Sequence, residues 1–172
     1  MLIDVRSPGE YDHGHIPGAV NIPLFTDHER AVVGTSYKQD SPEAAMDVAL
    51  KIVGPKLYGY VEQVRLSTDD KRLTLYCWRG GMRSSSMAWL FRTVGYDVDV
   101  LPGGYKAYRR RVHEVLEYPW NFAVIGGRTG SGKTKVLKIL HDAGEQVLDL
   151  EAIAHHKGSA FGALNQPPQP TT

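Results

Sequence analysis

The one cysteine of the chain, Cys77, stands in the stretch YCWRGGMRSSS (residues 76 to 86), where two glycines, two arginines and three serines follow it. A thiol set between a strand end and a helix start meets converging backbone N–H groups and the positive end of the helix dipole. Both favour thiolate, the nucleophilic form. Gly80 and Gly81 let the backbone turn its amides inward, and Arg83 offers a planar fork to an oxyanion. Arg79, Gly80, Gly81, Arg83 and Ser84 are therefore the candidate anion-binding loop, with Cys77 as the candidate catalytic nucleophile. The competing reading is a buried cysteine acting as a small hydrophobe, but those five neighbours are poor core material.

A second constellation lies at GGRTGSGKT (residues 126 to 134). Gly127, Gly132, Lys133 and Thr134 satisfy G-x-x-x-x-G-K-[ST], between an apolar run that reads as a strand and a segment that reads as a helix. In that context the backbone amides of Arg128, Thr129, Gly130, Ser131, Gly132 and Lys133 cradle a di- or triphosphate. Lys133 neutralises its oxygens and Thr134 places a Mg²⁺. The alternative is a glycine-rich surface turn. Asp149 is either a metal-positioning acid or the cap of a turn. His155 and His156 are adjacent, so on a helix they point apart and make a poor chelate, and no protein-held metal site is assigned.

The elements that must position these residues alternate in type. Residues 2 to 117 hold about five strand candidates, the clearest being LIDV (2 to 5), GAVNIP (18 to 23), LTLYC (73 to 77) and DVDVL (97 to 101). Ser41 caps a predicted helix with Pro42 at its first position, and Ala45, Val48, Ala49 and Ile52 recur at helical spacing. Leu57, Val61 and Val64 predict a second helix. Met87, Leu90, Phe91 and Val94 predict a third that Gly95 ends, and Tyr105 to Glu117 a fourth. Strands separated by helices imply βαβ units, hence an α/β fold with a central parallel sheet flanked by helices. A boundary is expected near Tyr118 and Pro119. Residues 1 to 118 then form one domain, and residues 119 to 172 an incomplete second one: a strand at 122 to 126, the glycine-rich loop, a helix from Lys133 to Ala143, a strand at 146 to 151, and the tail QPPQPTT.

Composition excludes several classes. At 42% hydrophobic and 23% charged residues, the chain of 172 residues is that of an ordinary folding protein. No apolar run approaches the roughly 18 residues of a membrane span, and no basic and then apolar leader opens the sequence, so the expected location is cytoplasmic. The net charge of +1 provides no global field for nucleic acid, so any RNA contact must be local. The one candidate is YKAYRRR, with Lys106, Arg109, Arg110 and Arg111, which reads first as a solvated helix face.

Across residues 2 to 117 the sequence resembles the rhodanese family: LIDVRSPGEYDHGHIPGAVNIP matches its opening signature and VGYDVDVLPGGYKAY its closing one. Asp4, Arg6, Glu10 and His15 are read as fold-stabilising members of that signature. The spacing Cys77-x5-Arg83 is also that of cysteine phosphatases, one residue longer than the usual rhodanese loop. With CWRGGMRS, GGRTGSGKT and DLEAIAHHKGSAFG (149 to 162) in order, nearly the whole chain resembles the tRNA 2-selenouridine synthase family. That resemblance implies an enzyme replacing sulfur by selenium in wobble 2-thiouridine of tRNA, with selenophosphate and geranyl diphosphate as co-substrates and a geranylated intermediate. It implies Cys77 as the essential thiol, Arg79 and Arg83 on phosphate, and residues 127 to 134 on the prenyl diphosphate. An enzyme supplying selenophosphate is an implied partner. The alternatives are a persulfide sulfurtransferase, a Cys-x5-Arg phosphatase, and a tRNA-binding fragment without activity.

Overall fold

The computed structural model describes residues 1–170. Thr171 and Thr172, the end of the proline-rich tail, lie outside the described residues. The chain divides into two compact units, Met1–Tyr118 and Pro119–Thr172.

The first unit is an α/β layer structure. Strands β1 (Leu2–Asp4), β2 (Val20–Asn21), β3 (Arg72–Tyr76) and β4 (Asp97–Val100) form one parallel sheet in the order β2-β1-β3-β4. Ile3 pairs with Leu75 and Val20, and Leu75 with Val100, so the clearest apolar runs of the sequence lie in register. Alternation sends Ile3, Val5, Leu73, Leu75 and Cys77 to one face, where they are buried with Val61, Val64, Met87 and Phe91. The other face carries Tyr76, which packs with Ala19 and Tyr105.

Helices α1 (Pro8–His13), α2 (Asp27–Gln39), α3 (Pro42–Val53), α4 (Leu57–Ser67), α5 (Met82–Thr93) and α6 (Gly104–Leu116) complete the unit, with a short 3-10 turn at Gly54–Lys56. Ser41 caps α3 by accepting from the Ala44 N–H at 3.1 Å, as its position before Pro42 requires. Two helices are additions to the sequence expectation. Both α1 and α2 begin with a capping box, Ser7 with Glu10 and Thr26 with Glu29.

In this sheet order β1 connects outward to β2 and β3 outward to β4. The crevice beyond the carboxyl ends of β1 and β3 is thus the switch point where α/β sheets bind ligands. The residues there are Arg6, Ser7 and Glu10 after β1, and Cys77 onward after β3.

The second unit departs from expectation. Its helix α7 (Lys133–Asp142) is where helical spacing placed one, but residues 122 to 126 and 146 to 149 form no strand, and Leu150–Ile153 is a short helix, α8. A parallel strand needs a neighbour for its N–H and C=O groups. Among the described residues of this unit the two apolar segments find no ladder, and Phe122 and Val124 stand exposed at 64% and 89%. No described helix is long and apolar enough to cross a membrane.

Candidate active site

Strand β3 ends at Tyr76, α5 begins at Met82, and the five residues between them wrap a loop around the Cys77 sulfur. The thiol lies at the floor of the loop, with the residue only 3% exposed. Burial pushes the thiol up, but hydrogen bonding from the Ser84 hydroxyl and from the backbone N–H groups of Ser84, Arg79 and Gly81 outweighs it. The net result is a thiol held below its ordinary range. The Arg79 and Gly81 amides come from the turn that Gly80 makes at φ +69°, and the Ser84 amide from the first turn of α5.

Ser84 Oγ lies 3.3 Å from Cys77 Sγ and 3.0 Å from the Gly81 carbonyl. A hydroxyl has one proton to donate, so it serves the carbonyl while the thiol is protonated and turns to sulfur when thiolate forms. Ser84 is fully buried and accordingly well placed for that exchange.

The loop is clamped from the far side by the first turn of α6. The Tyr105 N–H donates to the Cys77 carbonyl at 2.9 Å and the Lys106 N–H to the Trp78 carbonyl at 2.9 Å. Gly104, at φ +56°, lies so close that a Cβ there would sit 2.3 Å from the Cys77 carbonyl oxygen and 2.7 Å from the Gly80 nitrogen. Gly104→Ala is expected to cost roughly 2 to 4 kcal/mol, combining left-handed strain with a backbone clash. Gly18 has φ +79° but open space around it, so Gly18→Ala carries the strain alone and should cost about 1 kcal/mol. Thermal unfolding of both variants checks this, and equal losses would remove the clamp.

Behind the loop, Arg6 is buried in a bidentate pair with Asp4 (Nη2 to Oδ2 2.6 Å), donates to the Gly14 carbonyl at 2.7 Å, and lies 3.9 Å from the Tyr105 ring centroid. His15 stacks on Tyr11 with centroids 3.8 Å apart. These are structural roles. Glu10 does more than brace the fold: its Oε2 accepts from Arg83 Nη1 at 2.8 Å, bringing α1 onto α5, while Arg30 Nε lies 3.8 Å away. Burial would raise the Glu10 carboxyl, but Arg83, the Ser7 N–H and Arg30 hold it below the usual carboxylate range.

The structure thus brings Cys77, Arg79, Gly80, Gly81, Arg83 and Ser84 into one loop, with the Arg83 guanidinium turned to Glu10 rather than to the sulfur. Glu10, Arg30, Gly104, Tyr105 and Lys106 are the neighbours that sequence reading did not assign to the site. The signal for Glu10 was present in S-x-x-E, which marks both a helix start and a carboxylate facing its N-terminus. Beside the loop, an apolar groove of about 570 Å³ runs along α5, lined by Leu24, Leu50, Val53, Leu57, Met82 and Trp89 among others. That volume falls in the range of small-molecule pockets.

In the second unit, Gly132 stands at φ +88° as the N-cap of α7, so residues 127 to 134 lead into a helix N-terminus, though from a segment that is not a strand. Lys133 Nζ folds back onto the carbonyls of Gly127 and Arg128, at 2.8 and 3.0 Å. Arg128, Thr129, Gly130 and Ser131 form its exposed tip, and Thr134 follows Lys133 in the first turn of α7. Asp149 caps α8, accepting from the Ala152 N–H at 3.1 Å, which favours the capping reading over the metal one. His155 and His156 bond separately, to the Pro168 carbonyl and the Gly158 N–H. No cluster of metal-ligating side chains occurs among the described residues.

Comparison with known proteins divides the chain at the same place. Residues 1–111 match the rhodanese-like domain and residues 120–172 the tRNA 2-selenouridine synthase AAA domain. A tRNA 2-selenouridine synthase of Nitrosomonas europaea is 42% identical, covering 96% of this chain and 44% of the relative. One of Bordetella bronchiseptica is 43% identical, covering 98% of this chain and 47% of the relative. The chain therefore spans about half the length of the curated relatives it matches. Among solved structures, the N-terminal domain of a candidate ATP/GTP binding protein from Clostridium difficile 630 superposes with a TM-score of 0.60 at 41% identity, over 64% of this chain and 87% of that one.

Proposed function

Since the chain belongs to the rhodanese-like family and joins that module to a tRNA 2-selenouridine synthase AAA domain, we propose that it serves the replacement of sulfur by selenium in wobble 2-thiouridine of tRNA. The observation that carries this reading is the Cys77 loop: a thiol held below its ordinary range by three backbone amides and a serine hydroxyl, at the switch point of the sheet. Such a cradle suits a tetrahedral oxyanion against sulfur.

Selenophosphate supplies the selenium, delivered by an enzyme that makes it. Its selenium is already at the selenide level, so storing it on Cys77 as a perselenide requires an oxidant, whereas attack at phosphorus requires none. The Cys77 thiolate forms an S–P bond, the P–Se bond breaks, and hydrogen selenide leaves with the electron pair. Water then hydrolyses the phosphocysteine. The loop amides and Arg79 hold the phosphoryl oxygens, and Arg83 joins them by exchanging Glu10 for phosphate.

The base meets this selenide as its S-geranyl derivative. Selenide adds at C2, geranyl thiolate departs, and the selenium proton is released. Residues 127 to 134 hold the diphosphate of geranyl diphosphate through loop amides and Lys133, and Thr134 would hold a Mg²⁺ that would supply further charge neutralisation to the diphosphate. The apolar groove along α5 supports a prenylated substrate, since it begins at Met82, the residue after the loop, and its wall is almost wholly hydrocarbon. The test is mass spectrometry of tRNA nucleosides after incubation with 2-thiouridine tRNA, selenophosphate and geranyl diphosphate. Formation of 2-selenouridine supports the reading, and recovery of 2-thiouridine alone refutes it.

A further inference from the structure

The clamp that fixes the Cys77 loop also brings three cations to its rim. Arg79 follows Trp78 directly, and the Trp78 carbonyl accepts from the Lys106 N–H. The two residues therefore flank one hydrogen bond. Arg109 lies a single turn further along α6, about 5 Å up the axis. Among the described residues none of these three side chains has a carboxylate partner. Their neighbours Arg110 and Arg111 differ, both meeting Glu114, at 3.9 and 3.2 Å.

Helix α6 is thus divided. In its second half two arginines share the Glu114 carboxylate, and its first half carries unpaired positive charge with no acid in the first turn. Cations belong at a helix C-terminus, because the N-terminal end of the dipole repels them. Lys106 and Arg79 accordingly stand in a field already positive from the dipole and the loop amides. A fixed anion within the fold would relieve that repulsion, and among the described residues no carboxylate meets these side chains. An external anion is the remaining source, and a row extending a full turn beyond the loop suits a polyanion better than one small ion.

Resting on the function proposed above, we infer that Lys106 and Arg109 form the RNA-binding rim of this module, gripping RNA phosphates beside the base presented to Cys77 while Arg79, next to them, stays with the phosphoryl group in the loop. The net charge of +1 makes such a local rim necessary, since the chain has no global field to hold RNA.

The 172-residue chain should be titrated with a fluorescent RNA hairpin the size of an anticodon stem-loop, carrying 2-thiouridine, over a range of salt concentrations. Removing one cation from a phosphate lowers the salt slope by roughly 0.7 to 0.9. The Lys106→Ala, Arg109→Ala double variant should therefore lose about 1.5 of slope and bind roughly tenfold or more weakly. The Arg110→Ala, Arg111→Ala double variant removes the same charge from the same helix and should leave the slope unchanged. Equal losses in both, no loss in either, or no hairpin binding by the parent chain would overturn the rim. A lost affinity for inorganic phosphate with RNA binding intact would also overturn it, making these residues a small-anion site. The chemistry at Cys77 is scored separately: 2-selenouridine formation that survives the Lys106, Arg109 variant with unchanged RNA affinity sinks the rim and leaves the thiol's role standing.

Discussion

Cys77→Ser is expected to abolish 2-selenouridine formation, a loss on the order of a thousandfold or more, while geranylation of 2-thiouridine continues. Sulfur and oxygen differ little in size here, and the buried position, packed with Ile3, Leu75 and Met87, should accept the hydroxyl without loss of fold. What is lost is the ionisable nucleophile. The loop amides and Ser84 hold the thiol below its ordinary range, but a serine hydroxyl starts far above a thiol and has no adjacent base. Nucleoside mass spectrometry reads both products in one sample. Retained selenation would show that Cys77 only packs, and lost geranylation would show that the two chemistries share a site.

Lys133→Ala is expected to weaken the prenyl donor by roughly ten to a hundredfold, the loss of one charge-assisted hydrogen bond worth about 1.5 to 3 kcal/mol. In this structure the ammonium rests on the carbonyls of Gly127 and Arg128, which it must leave to meet a diphosphate. It is half-buried but bonds only to exposed loop carbonyls, so its removal should not disturb α7. Geranylation should fall, and tRNA already carrying the geranyl group should restore selenation to the parent level. Failure of that rescue would assign residues 127 to 134 to selenation as well.

The parts of this fold that follow from local pattern were legible in the sequence, and those that depend on a distant partner were not. Ile3, Leu73, Leu75 and Val98 stand in short apolar runs, and Ser41 with Pro42 announces a helix whose Ala45 is buried. Helix α2 was hidden because its apolar face is weak: Ser36 is its one buried residue, and only Thr26 and Glu29 mark its start. The strands expected at 122 to 126 and 146 to 151 show the converse error. Their composition is right for a sheet, but strand formation needs a ladder, and none of the described residues supplies it.

At the site the same division holds. The spacing of Cys77, Gly80, Gly81 and Ser84 announces a loop whose amides turn inward. The partner of Arg83 does not follow from spacing, since Glu10 lies 73 residues away and reaches it only because β1 and β3 are neighbours. The clamp by Gly104, Tyr105 and Lys106 is equally non-local, because it exists only once β4 pairs with β3 and turns α6 back over the loop.

The ionisation of Cys77 decides whether this loop holds an activated nucleophile. The ultraviolet absorbance of thiolate, followed against pH with the Cys77→Ser protein subtracted, reads it without requiring any reagent to reach the buried sulfur. A midpoint below the roughly 8.5 of a free cysteine, moving upward in Ser84→Ala, is the predicted result. A midpoint at or above the free value, unmoved by Ser84→Ala, would mean that burial dominates and that Cys77 is a core residue rather than the seat of the chemistry.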